Sequence, residues 1–103
     1  MKEVIKEFID DLKREKFADA HEVMEKKWKE YKKLSHPKTK LLKGFINGAT
    51  AFELVKRGNF DGAKRLWGVY EKYLPLLDSE CEEHELFVKA DEILKSLKDE
   101  RLS

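Results

Sequence analysis

The sequence predicts an all-α fold: a compact bundle of about five helices, built from two helix–turn–helix pairs plus a closing C-terminal helix. Three observations carry this expectation. Apolar residues recur at spacings of three and four, the period of an amphipathic helix, and strand-like alternation is almost absent. Turn-forming residues interrupt that period at Ser35 to Pro37 and again at Gly58 and Asn59. The segment REKFADAHEVMEKKW also has a weak echo in KRGNFDGAKRLWGVY, which aligns Phe17 with Phe60, Ala20 with Ala63 and Val23 with Leu66. Each copy reads as the second helix of a helical hairpin, the logic of tetratricopeptide-type repeats at a longer period. A chain of 103 residues is one domain, 1–103, long enough to bury a core unaided.

The elements follow in order. A first helix over about residues 2–14 carries Val4, Ile5, Phe8, Ile9 and Leu12 as its apolar stripe. A second, over 17–33, carries Phe17, Ala20, Met24, Trp28 and Tyr31. SHPKTK at 35–40 is a loop, with Pro37 suited to the first position of the third helix. That helix runs to about Arg57, where Gly58 supplies a left-handed cap. LLKGFINGATAFELV is apolar nearly all round, which places it among neighbours on every side. Glycine in a helix interior costs roughly 1 kcal/mol, so Gly44 and Gly48, with Ala49 and Ala51, call for another backbone at close approach.

Asn59 caps the fourth helix, which lays Ala63, Leu66, Trp67, Tyr70, Leu74 and Leu77 on one face until Pro75 bends or stops it. Ser79 and Glu82 read as a capping box opening the fifth helix, over about 80–98, with Phe87, Ala90, Leu94 and Leu97 facing in. The tail KDERLS is expected to fray.

Net charge is +1, so no global field draws the chain to nucleic acid or an anionic membrane. The charge is unevenly placed. Residues 26–43 hold eight lysines and one acid, Glu30, whereas 78–92 hold seven acids and one base, Lys89. Such runs are solvated helix faces by default. The basic stretch has no arginine, the better reader of phosphates and bases, which argues against nucleic acid. Mutual attraction of the two stretches, within one chain or between two, is the further alternative, and it leaves a homo-oligomer open. One cysteine, Cys81, cannot form an internal disulfide, and no stretch resembles a signal peptide or membrane span, so a reducing, cytoplasmic home is expected. A charged fraction of 42%, no glutamine, and asparagine only at Asn47 and Asn59 suit a thermophile.

The candidate site lies in AHEVMEKKW. On a wheel of 100° per residue, His21 falls inside the apolar cluster of the second helix and Glu25, one turn on, at its edge; Glu22 points away. Three readings stand. His21 is a core histidine bonded to Glu25 and to a partner on the third helix, since a buried polar group left unpaired costs roughly 1–3 kcal/mol. Or His21, Glu25 and Trp28 border a pocket for a small molecule or protein segment. Or His21 and Glu25 are metal ligands or an acid–base pair. Two ligands do not make a metal site, and Asn47, Glu53, His84 and Glu85 are the remaining donors. AHEVME is not the zinc-protease pattern, because Glu25 stands where the second histidine belongs. Cys81 and His84 are a weaker pair in an acid-rich first turn, and His36 is expected to be solvated. No cofactor is predicted; a divalent metal is the alternative. Trp28 and Trp67 read as core rather than as a ligand cage.

FADAHEVMEKKW followed by LLKGFINGATAFELVKRGNFDGAKRL resembles the domain-of-unknown-function 309 family, whose pattern is similar to F-x-x-AHE-x-x-E-x-x-W, then LLQGLIQ-x-A-x-A, then RGN-x-x-GA. The resemblance implies a small, all-helical bacterial or archaeal protein whose biochemical role is not established. It marks Ala20, His21, Glu22, Glu25, Trp28, Gly44, Arg57, Gly58, Asn59, Gly62 and Ala63. Lys43 and Asn47 stand where the family has glutamines. Two functions follow as expectations: a binding or interaction module with a structural polar cluster around His21 and Glu25, or a metal-assisted hydrolase using His21, Glu22 and Glu25.

Overall fold

Three helix ends are closed by the same hydrogen-bond pattern, and those closures set the topology. The computed structural model describes residues 1–102, with α1 at Lys2–Lys13, α2 at Phe17–Lys33, α3 at Thr39–Lys56, α4 at Phe60–Tyr73, a 3₁₀ turn at Leu74–Leu76 and α5 at His84–Arg101. After α3, the Asn59 N–H donates to the Leu54 carbonyl at 2.8 Å and the Gly58 N–H to that of Val55 at 3.0 Å. Gly58 takes the left-handed φ of 78° that this double closure needs. Lys16 to Asp11 with Glu15 to Leu12 repeats it after α1, and His36 to Tyr31 with Ser35 to Lys32 repeats it after α2. There the left-handed residues are Glu15 and Ser35, at φ 59° and 51°. Tight turns of this kind lay successive helices antiparallel, giving the hairpins α1–α2 and α3–α4.

α3 is the central element. It packs against α2 on one side and α4 on the other and also touches α5, while α1 packs on α2 and α5. Leu41, Leu42, Phe45, Ile46, Ala49, Ala51 and Phe52 are all buried on it. Phe45 sits at the middle of an aromatic group, with Phe8, Tyr70 and Phe87 at ring distances of 5.2–6.1 Å. The glycines have the reason the sequence required. A Cβ on Gly44 would lie 3.0 Å from the Cβ of Tyr73, and one on Gly48 would lie 3.1–3.3 Å from Leu94 and the Tyr70 ring. Tyr70 itself is buried and donates its hydroxyl to Asp91 of α5 at 2.5 Å.

Several expectations are corrected. Ser79 and Glu82 do not open α5, which starts at His84 with no side-chain cap. Asp78 organises that segment instead: its carboxylate accepts from the Glu80 N–H at 3.0 Å and its carbonyl accepts from His84 Nδ1 at 2.7 Å. Such local side-chain bonds compete with a helix start. The tail does not fray over the described residues. Arg101 forms a two-bond fork on Glu15 at 2.6 and 2.7 Å, and Leu102 is buried; Ser103 lies outside the described residues. α3 starts at Thr39, after Pro37, because the Thr39 hydroxyl and N–H both donate to the His36 carbonyl. His36 is not simply solvated: its ring stacks on Tyr31 at 4.0 Å and its Nδ1 accepts from the Lys38 N–H. The aligned phenylalanines also differ, for Phe17 is buried against Phe52 whereas Phe60 is 49% exposed.

Candidate functional site

His21 and Glu25 are one helical turn apart on α2, so their side chains meet by geometry alone. His21 Nε2 lies 2.7 Å from Glu25 Oε2. The hairpin places α3 alongside, and Glu53 brings Oε1 to 3.1 Å from His21 Nδ1. Both ring nitrogens therefore face carboxylate oxygens. A neutral imidazole has one N–H to donate, whereas an imidazolium has two. The full pair of contacts is complete only with both nitrogens protonated. Lys29 stands 4.0 Å from Glu25 and Arg57 stands 4.0 Å from Glu53. The result is a polar line, Lys29–Glu25–His21–Glu53–Arg57, running across the α2–α3 seam. Glu53 is the most enclosed of the central three at 15% exposure, against 30% for His21 and 33% for Glu25.

The other predicted residues lie elsewhere. Glu22 is exposed and lines a different groove, between α1 and α2, of about 470 Å³ with Val4, Glu7, Asp11, Asp19 and Lys26 among its walls. Burial there, with the carboxylates of Asp19 and Glu7 beside it, raises the Asp11 carboxyl above its usual range. Trp28 is half-buried on the α2–α3 seam with the ammonium groups of Lys43 and Lys32 at 4.4 and 5.0 Å from its ring. Lys43 thus sits over the indole, a cation–π contact. Asn47 is partly buried and makes no side-chain hydrogen bond with the cluster. Trp67 is core, packed on Phe52 and Tyr70, and its indole N–H has no partner among the described residues. The three segments of the family-like pattern therefore divide: the AHE segment and Glu53 build the polar line, the glycine-rich segment seats α4, and RGNFDGA builds a turn. In that turn Asn59 Oδ1 accepts from the Gly62 N–H at 2.9 Å, and a Cβ at Gly62 would fall within 3.0 Å of the Asn59 side chain.

Residues 5–66 match the family model described as Domain of unknown function (DUF309). The chain belongs to this family. Neither the curated proteins nor the solved structures contain a match. Nearly all of the matched span consists of the two hairpins, from the first turn of α1 to the middle of α4, and so it includes the polar line and the Asn59 turn.

Sequence reasoning missed three long-range pairs between side chains. Tyr70–Asp91 ties α4 to α5, Glu15–Arg101 ties the first turn to the end of α5, and Lys38–Glu83 ties the α2–α3 loop to the start of α5 at 3.0 Å. Only the last had a signal, the opposed charge runs. No helix of the described residues is long and apolar enough to cross a membrane, and no three His, Cys, Asp or Glu among them group so as to hold a metal ion.

Proposed function

We propose that this chain is a small helical interaction module in which His21, Glu25 and Glu53 form a structural clamp between α2 and α3. The observation that supports this reading is the double engagement of the imidazole: each ring nitrogen faces a carboxylate, at 2.7 and 3.1 Å. With both nitrogens protonated the ring has no lone pair to offer a metal, a substrate proton or a nucleophile. To act chemically it must first give up one of these contacts, that of Glu25 within α2 or that of Glu53 across to α3. The partner on this reading is a protein segment or small molecule that meets the surface around the clamp.

The competing reading, a metal-assisted hydrolase, has one feature in its favour. Glu53 on Nδ1 with Nε2 turned towards Glu25 has the order of a carboxylate–histidine–metal relay. Its weakness is the third group, since Glu22 stands on another face and lines another groove. A Zn²⁺ titration of chelator-treated protein, watching the His21 ring by NMR, separates the two. The clamp predicts that His21 signals do not respond to stoichiometric metal and that His21→Ala lowers the unfolding midpoint. One-to-one binding that shifts His21, lost in both His21→Ala and Glu25→Ala, would put the hydrolase reading in its place.

A further inference from the structure

The antiparallel hairpins gather the loop after α2, the start of α3, the 3₁₀ turn and the start of α5 at one end of the bundle. Lys38 and Glu83 meet there, and both are well enclosed, at 19% and 12% exposure. Burial opposes the Lys38 ammonium, but the hydrogen bond and charge of Glu83 prevail, aided by Cys81 and Tyr31, and hold its pKa above the usual lysine range. This pair is a boundary. In the segments flanking Lys38, Lys33 and Lys40 are exposed with no ion pair among the described residues; in the segment around Glu83, Glu80, Glu82 and Glu85 are exposed and equally unpaired, with Lys2 lining the same groove as Glu82 and Glu85. The backbone under both lobes is fixed: the Tyr31–His36 stack and the Lys38 N–H bond hold the basic loop, and the Asp78 bonds hold the acidic one. Two of the three most exposed large apolar side chains, Leu34 at 74% and Leu76 at 47%, lie at this same end.

We propose that this end of the bundle docks a second copy of the same chain through a two-fold contact centred on the Lys38–Glu83 boundary. A surface with a positive lobe beside a negative one becomes its own complement when rotated by half a turn about the junction. Lys33 and Lys40 of one copy then face Glu80, Glu82 and Glu85 of the other, and the same contact occurs twice, as in any closed isologous dimer. Leu34 and Leu76 give that contact an apolar component which lysines and glutamates alone lack. Like charges would meet in most other orientations, so the pattern selects register as well as partner. The proposal names a partner for the interaction module, and it uses a surface other than the His21 clamp; loss of one reading leaves the other intact.

Sedimentation velocity on the full chain tests it with a charge-swap pair. The substitutions lie at exposed positions, and circular dichroism checks that each variant is folded. Wild type is expected to dimerise at low salt and to weaken by about tenfold or more between about 50 and about 500 mM salt, where screening shortens from about 14 Å to about 4 Å. Lys33→Glu/Lys40→Glu and Glu80→Lys/Glu82→Lys are each expected to be monomeric alone. Mixed in equal amounts they are expected to form a dimer, because each now carries the lobe the other needs. A wild type that stays monomeric over the accessible concentrations overturns the proposal and gives the face to a different partner or to none. Variants that dimerise undiminished, or a mixture that stays monomeric, overturn it as well.

Discussion

The two hairpins reach one backbone shape by different chemistry. Lys16 and Asn59 precede α2 and α4 with nearly the same dihedrals, φ −92° and ψ 69° against φ −93° and ψ 78°. In the α3–α4 turn every requirement is met locally: Gly58 takes the left-handed position, Asn59 caps the next helix, and Gly62 leaves room for the cap. In the α1–α2 turn Glu15 holds the left-handed position, and Lys16 makes no side-chain cap bond. That turn is held from outside. Arg101 grips the Glu15 carboxylate, and Lys56 donates from Nζ to the Glu15 carbonyl at 2.6 Å. A turn made of local parts can be read from sequence; a turn held by a residue 86 positions away cannot.

Packing differs in the same way, and there the largest effect is expected. α4 approaches α3 over Gly44, where the nearest obstacle to a side chain is the root of Tyr73 rather than a flexible tip. Gly44→Val should cost about 3 kcal/mol, since overpacking a tight core forces backbone shifts. A urea titration checks it; a neutral result would mean that α4 can move off α3 freely.

Alkali should act on the second hairpin. Burial, then the hydrogen bond to Asp91, raises the Tyr70 hydroxyl well above its ordinary value of 10.0. A folded value above the unfolded one means stability is fully present below pH 10.0 and is lost as pH rises beyond it. Tyr70→Phe should flatten that loss in pH-dependent thermal melts, and an unchanged alkaline slope would show that another group is responsible.

The turns themselves give effects of opposite sign. Gly58→Ala places a Cβ in the left-handed region and should cost about 1–2 kcal/mol. Asp19 stands where Gly62 makes room for the Asn59 cap, so adding Lys16→Asn to an Asp19→Gly background gives the first hairpin the cap that the second already has and should gain about 0.5–1 kcal/mol over Asp19→Gly alone. Equal and small changes at both sites in chemical denaturation would erase the distinction between a local and an externally held turn.

Acid should produce the smallest effect, and in the first hairpin. The Arg101 hydrogen bond holds the Glu15 carboxyl below its ordinary value of 4.5, with further help from the Arg101 and Lys56 charges. A lowered folded value gives a contribution present above pH 4.5 and lost as pH falls below it. Protection factors at the end of α5, corrected for the intrinsic exchange rate at each pH, should therefore fall in acid in the wild type and be low at every pH in Arg101→Ala. Protection that ignores both changes would mean Leu102 alone secures that end.

The same local-against-distant rule explains how much was legible. Helix period placed the five helices, and Gly58 with Asn59 placed the α3–α4 turn, because these are properties of neighbouring residues. His21 with Glu25 followed from helix spacing, and Glu53 was among the donors that α3 offered. Its selection over Asn47 depended on how α3 rotates against α2, which no wheel contains. The capping box at Ser79 failed because Asp78 competes for the same segment, and the frayed tail failed because its anchor, Glu15, lies at the far end of the sequence.

The central claim is that His21 joins α2 to α3 through Glu53. A double-mutant cycle measures it directly, with His21→Ala, Glu53→Gln and the double variant compared by urea unfolding. A clamp predicts a coupling of about 1 kcal/mol, in the range for residues sharing a hydrogen-bond network. Additive changes with no coupling would contradict it, and would leave the imidazole free for chemistry at the seam.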